Sequence, residues 1–241
     1  MYTGWSLKKF AFVNFLTVLL FISFFIEETQ NLWLALDYFM FSFFNGLLAY
    51  NSFAYIVAFC GQKIFTVMLG LFMVFNCAYY LFAQFNQQEI ANRFSHFFAF
   101  LTIALICYGI SNLFENVNRQ SPSLVVESFL NLKTFSFSFD PKVTSSSSFP
   151  SDHGVVAGLF VCFFLIYMRK SWVFCGILFL FATMPRIIAG AHWFTDVFLG
   201  SLAITIFGYT LLKTLNLHVL YKKFLVVPVT EKVFVVCQKK S

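Results

Sequence analysis

Residues 185–196 read PRIIAGAHWFTD, a stretch that sets Arg186, His192 and Asp196 close together in an otherwise apolar chain. Ionisable groups at or near a membrane cost free energy to place there, so each is a functional candidate by default. His192 and Asp196 are four residues apart, and on a helix that spacing puts them on one face, where the carboxylate reaches an imidazole nitrogen. Such a contact fixes the tautomer and makes the other nitrogen the better nucleophile or base. Arg186 adds a planar, permanently charged fork suited to phosphate oxygens. The plainer reading of this segment alone is a membrane-edge anchor with a local ion pair.

A second cluster bears on that choice. Residues 145–154, SSSSFPSDHG, put Pro150, Ser151, Asp152 and His153 directly before a long apolar run. This predicts a capped helix N-terminus, whose unpaired N–H groups and dipole favour an anion. Alone, the SDH triplet would be read as a cap. Two His-bearing clusters joined by a pair of apolar runs, each at the edge of a run, point to a shared site.

The composition says where such a site sits. The 241 residues are 60% hydrophobic, 22% aromatic and only 11% charged, the profile of a polytopic membrane protein. A soluble domain of this length needs more polar residues to cover its surface. Six cysteines lie mostly inside apolar runs with no CxxC spacing, so neither a metal knuckle nor a disulfide framework is expected.

Along the chain, residues 10–26 form a minimal span with no small-residue cleavage site after it, which reads as a retained first helix. Residues 31–50 are apolar but contain Asp37, Asn45 and Gly46, which predicts a helix lying along the interface or re-entering the membrane. Further spans are expected at 64–83, 94–114, 153–168, 171–189 and 197–212, giving an all-α bundle of six spans in one membrane-embedded domain. Residues 115–150 are the one long polar segment, expected to be an outer lid or substrate-facing loop, and 213–241 form a basic tail.

Charge then gives orientation. With both termini in the cytoplasm, the inner side carries eleven Lys or Arg and two Glu, a balance of +9, against five positive and eight negative residues outside, −3; together these make the net +6. That places Arg119, His153, Arg186, His192 and Asp196 on the outer face. The basic tail is read as an anchor to anionic membrane lipids, and nucleic acid is not an expected partner.

Two His, two Arg, an Asp beside a His and a helix N-terminus suit an anionic group, and phosphate fits best. The cations hold non-bridging oxygens, His192 attacks phosphorus to form a phosphohistidine, and His153 protonates the leaving oxygen. A metal site is the chemical rival, but two His and two nearby carboxylates among so many cations argue against one. Serine acyl transfer is weaker still, because Ser151 lies in no GxSxG-like elbow.

FPSDH at 149–153 and PR(x5)H(x3)D at 185–196 resemble the second and third signature motifs of the type 2 phosphatidic acid phosphatase (PAP2) superfamily. The resemblance implies a six-helix membrane enzyme that needs no metal or cofactor. It implies His192 as nucleophile, Asp196 as its support, His153 as general acid, and Arg119, Ser151, Asp152 and Arg186 as the phosphate-binding set. The first motif departs from the usual Lys followed after six residues by Arg-Pro: Arg119 can be aligned, or Pro122, but the Lys is missing either way.

With NRQSPS after the third span and LWLALDYFMFSFFN early on, the chain is similar to the lipid A 1-diphosphate synthase branch, over roughly residues 32–208. That branch implies a bacterial inner-membrane enzyme with its site facing the periplasm. It would take the terminal phosphate of undecaprenyl diphosphate and add it to the 1-phosphate of lipid A or lipopolysaccharide. The alternatives are a lipid-diphosphate hydrolase acting on the same donor and a non-catalytic protein that binds anionic lipid.

Overall fold

The structure is a computed structural model that describes residues 4–83, 86–114, 117–135 and 139–226. Among these, every regular element is helical: α1 (Leu7–Ile22), α2 (Glu27–Gly46), α3 (Asn51–Cys60), α4 (Lys63–Phe82), α5 (Gln87–Leu113), a single turn α6 (Pro122–Val125), α7 (Asp152–Ile166), α8 (Trp172–Ile188), α9 (Leu202–Thr214) and α10 (Leu217–Tyr221). The caps follow from the sequence. Ser6, Asn86, Ser151 and Ser171 each accept a hydrogen bond from a first-turn N–H of α1, α5, α7 and α8. Much of the basic tail lies outside the described residues.

Among the described residues, four helical stretches are long and apolar enough to cross a membrane: Glu27–Ala49, Lys63–Phe82, Gln88–Leu113 and Asp196–Thr214. Large apolar side chains such as Phe75, Phe82, Leu105 and Trp172 stand exposed on the outside of the bundle. In water that would be an aggregation surface; in a bilayer it is the lipid-facing belt. The chain is an all-helical membrane protein.

The first of those stretches covers the segment expected along the interface. Asp37 and Asn45 argued for that placement, yet both are buried and paired. The Asn45 amide donates to the carbonyls of Leu130 and Ile188 and accepts from the Leu130 N–H. Its polar residues therefore do not force α2 to the surface. The helix over the span expected at 94–114 starts earlier: α5 begins at Gln87, and Arg93 reaches back to the Tyr80 carbonyl of α4, 2.6 Å away.

The core lies among α4, α5, α7, α8 and α9, around Ile103, Phe163 and Val197. The glycines of α7 pack tightly against α9 and the residue just before it. A Cβ on Gly154 would meet Ser201 Oγ at 2.5 Å, and one on Gly158 would meet Thr205 Oγ1 at 2.2 Å. Small residues spaced by four on both helices allow this, as in membrane helix pairs generally.

The long polar segment is pinned through its backbone. Ser121 and Ser145 pair through Ser121 N–H to Ser145 O, 3.1 Å, and Ser145 N–H to Ser121 Oγ, 2.9 Å. Ser148 N–H donates to Arg119 O at 2.8 Å. Leu132 and Val143 are buried against α3 and the end of α8. The described parts are thus packed onto the bundle.

Candidate active site

The C-terminus of α8 delivers the cluster at 185–196. Gly190, at φ +89°, closes a Schellman motif in which its N–H bonds Ile187 O and the Ala191 N–H bonds Arg186 O, at 3.1 and 2.9 Å. A side chain there would meet Ser123 and Phe41 as well as the positive φ. The turn swings His192 back beside Arg186, to whose carbonyl its own N–H also points, 3.3 Å away.

Asp196 then opens a π-helical turn, Asp196–Ser201, before α9. Such wide turns gather at functional sites because they free backbone groups. Here the Asp196 carbonyl accepts from Ser151 N–H at 3.1 Å and from Ser201 Oγ at 3.0 Å, and Ser201 Oγ also donates to Ser151 O at 2.8 Å. The two His-bearing clusters are joined through these bonds.

The imidazole rings of His153 and His192 lie 6.5 Å apart. His192 is buried, and its Nδ1 lies 2.8 Å from the Ser148 carbonyl oxygen, an acceptor only. Nδ1 therefore carries the proton and Nε2 keeps its lone pair. Burial lowers the His192 pKa from its ordinary 6.5 to about 4; the Ser148 bond opposes this, while Lys142 and Arg186 push the same way. The ring is thus neutral and nucleophilic at physiological pH. The helical spacing had suggested a direct contact with Asp196, but Asp196 Oδ2 stands 3.8 Å from Nδ1, too far for a hydrogen bond.

Asp196 is held instead by Arg119 Nη1, at 2.5 Å, and by the Trp193 N–H, at 2.7 Å. Arg119 Nη2 pairs with Asp37 of α2. The guanidinium assigned to phosphate from sequence is therefore set between two carboxylates.

Arg186 is different. It is 5% exposed; Nη2 donates to Thr66 Oγ1 of α4 at 2.9 Å, and Nη1 has no partner. Arg186, Thr66, Asp152 and His153 line a cavity of about 260 Å³ whose remaining walls, including Leu69 and Met73, are mostly apolar. A buried cation with a free N–H in such a cavity is suited to an anionic oxygen on an apolar molecule. Ser151 is fully buried and caps α7 through Gly154 N–H, 3.4 Å away, and the next two residues of that first turn, Asp152 and His153, line the cavity. Among the described residues, no three His, Cys, Asp or Glu side chains group as metal ligands.

The structure thus brings Asp152, His153 and Arg186 around one cavity, sets the His192 ring 6.5 Å from that of His153, and ties Ser151 to the Asp196 carbonyl, with the Asp196 side chain turned to Arg119. Sequence reasoning missed Ser148, Thr66 and Thr195. Ser148 is the last of four identical serines, and Thr66 is a lone threonine in an apolar run, so neither carries a signal by type or spacing.

The chain is 27% identical over 212 residues to the lipid A 1-diphosphate synthase of Escherichia coli (strain K12), covering 84% of this chain and 86% of that protein. No solved structure matches it. The PAP2 superfamily profile matches residues 97–218, the span that carries Arg119, both histidines, Arg186 and Asp196, and the chain belongs to that superfamily.

Proposed function

We propose that the protein is an inner-membrane phosphotransferase that moves the terminal phosphate of undecaprenyl diphosphate to the 1-phosphate of lipid A. His192 Nε2 attacks the terminal phosphorus, the bridging P–O bond breaks, and undecaprenyl phosphate leaves with a proton from His153. An oxygen of the lipid A 1-phosphate then attacks the phosphohistidine, the P–N bond breaks, and a diphosphate is formed. Arg186, with Ser151 and Asp152 at the α7 N-terminus, surrounds the phosphoryl group as its charge builds up. Six spans with both termini in the cytoplasm put this site on the periplasmic face, as the +9 and −3 charge balance favours.

The observation that carries the reading is the unpartnered Arg186 Nη1 beside His153 in an apolar cavity. Likeness to a lipid A 1-diphosphate synthase along most of both chains favours a lipid phosphate, not water, as acceptor. The test is to incubate purified protein with undecaprenyl diphosphate labelled in its terminal phosphate, with and without lipid A. Label moving into lipid A is the expected result. Release of inorganic phosphate whether or not lipid A is present would make the protein a hydrolase.

A further inference from the structure

Asp37 lies midway along α2, nearly 150 residues before the cluster at 185–196, and is fully buried. Both of its oxygens accept. Oδ1 takes the Thr195 N–H at 2.8 Å, and Oδ2 takes the Thr195 hydroxyl at 2.6 Å and Arg119 Nη2. With three donors and no acceptor facing it, the group is built as a carboxylate. Thr195 Oγ1 in turn accepts from Arg119 Nη1 at 2.8 Å, and the same nitrogen donates to Asp196. The guanidinium is also covered by the rings of Phe24 and Trp193, 4.9 and 5.3 Å from its carbon.

We infer that Asp37 is a positioning residue for the nucleophile: through Thr195 and Arg119 it fixes the Asp196 carboxylate 3.8 Å from His192. Two points carry it. Asp37 and Asp196 are fully buried and share Arg119 as counter-ion, so freeing that guanidinium from either would leave a buried charge uncompensated, far costlier than leaving the network closed. One cation between two carboxylates also leaves a surplus negative charge behind His192, where positive charge grows on the imidazole as its Nε2 bonds to phosphorus. Asp37 then acts at a distance, without touching the substrate. The inference rests on the proposed phosphoryl-transfer reading of the site.

The test compares Asp37→Asn, Asp37→Glu, Arg119→Lys and the double variant Asp37→Asn/Arg119→Lys with the unaltered full chain, after thermal unfolding in detergent shows each is folded. Label is followed into both lipid A and inorganic phosphate. A protein that only hydrolyses then overturns the transfer reading while leaving the comparison of variants intact. Asp37→Asn is expected to lower kcat by about 10- to 100-fold, the scale on which an outer partner of a functional imidazole acts. KM should stay within about twofold, since no ground-state contact is lost. Asp37→Glu should recover part of the loss, and the double variant should be no worse than the poorer single one, because both act through Asp196. Orthovanadate inhibition gives a readout independent of turnover and of which acceptor is used: its Ki should be unchanged in Asp37→Asn and raised in Arg186→Lys. Should Asp37→Asn leave kcat unchanged, or raise the vanadate Ki and the donor KM as Arg186→Lys does, Asp37 does not act through the nucleophile and the inference fails. Loss of folding in Asp37→Asn leaves Asp37→Glu to decide it, by a lowered kcat at unchanged KM and vanadate Ki.

Discussion

The imidazole of His192 donates from Nδ1 to the peptide carbonyl of Ser148, 2.8 Å away, while the Asp196 carboxylate stands 3.8 Å off and faces Arg119. A peptide carbonyl can only accept, so it sets the tautomer whatever becomes of the carboxylate. Asp196→Asn should therefore retain a correctly protonated His192 and still form phosphoenzyme. Its loss in kcat should stay below the roughly 10,000-fold seen where a carboxylate is the sole orienting acceptor. Rapid-quench trapping of labelled phosphate at alkaline pH reads this directly, and absence of any phosphoenzyme in Asp196→Asn would count against the role given to Ser148.

The two histidines should fail in different ways. His192→Ala removes the imidazole whose Nδ1 is fixed by the Ser148 carbonyl and whose Nε2 is left to attack, so phosphoenzyme and turnover should both vanish. His153→Ala removes an acid worth typically about 100- to 10,000-fold, and the deficit should shrink for a donor whose leaving group needs no proton. Label appearing on His192→Ala protein would make His153 the nucleophile.

These roles were legible because their chemistry is local: residue type and short spacing at His153, Arg186, His192 and Asp196 are enough to nominate them. What the sequence could not supply was the set of partners brought in across the fold. Ser148 is 44 residues from His192, Thr66 is 120 from Arg186, and Asp37 is 158 from Thr195. Each of those contacts depends on helix packing that no local pattern encodes. Asp37 shows the cost most clearly. A carboxylate in an apolar run reads as a reason to keep α2 at the interface, and the reason dissolves only when Arg119 and Thr195 are seen around it. Arg119 is the converse case, a cation nominated for phosphate by its place in the motif and found between two carboxylates.

Burial holds the His192 pKa near about 4, below the ordinary 6.5, so the ring stays neutral through the window in which an exposed histidine gains a proton. Carbethoxylation, which needs the neutral ring, should therefore proceed at pH 5.5 about as it does at pH 7 when followed in His153→Ala protein. Lys142→Ala removes a cation that lowers this pKa and should move the midpoint upward. Stability follows the same sign: the unfolded chain takes up the proton first, so this histidine's contribution is lost as pH falls from 6.5 towards about 4. A midpoint at or above 6.5 in the otherwise unaltered protein would contradict the buried, carbonyl-bonded ring.

The close approach of α7 to α9 links stability to the site. A methyl group at Gly158 would fall 2.2 Å from Thr205 Oγ1 and 2.8 Å from its Cγ2, so Gly158→Ala must push the helices apart or turn Thr205 out of a buried position. Overpacking of this kind costs typically about 1–3 kcal/mol, and the unfolding midpoint in detergent should drop accordingly. Activity should fall too, because α7 carries Ser151 and His153 at its first turn while the π-helical turn into α9 begins at Asp196. Gly176→Ala on α8 is the control: nothing lies within 4 Å of the added methyl, so neither stability nor rate should suffer. The double variant Gly158→Ala/Thr205→Ala removes both clashing atoms and should regain most of the stability and rate. If the double variant is as damaged as Gly158→Ala alone, the loss comes from something other than the contact with Thr205.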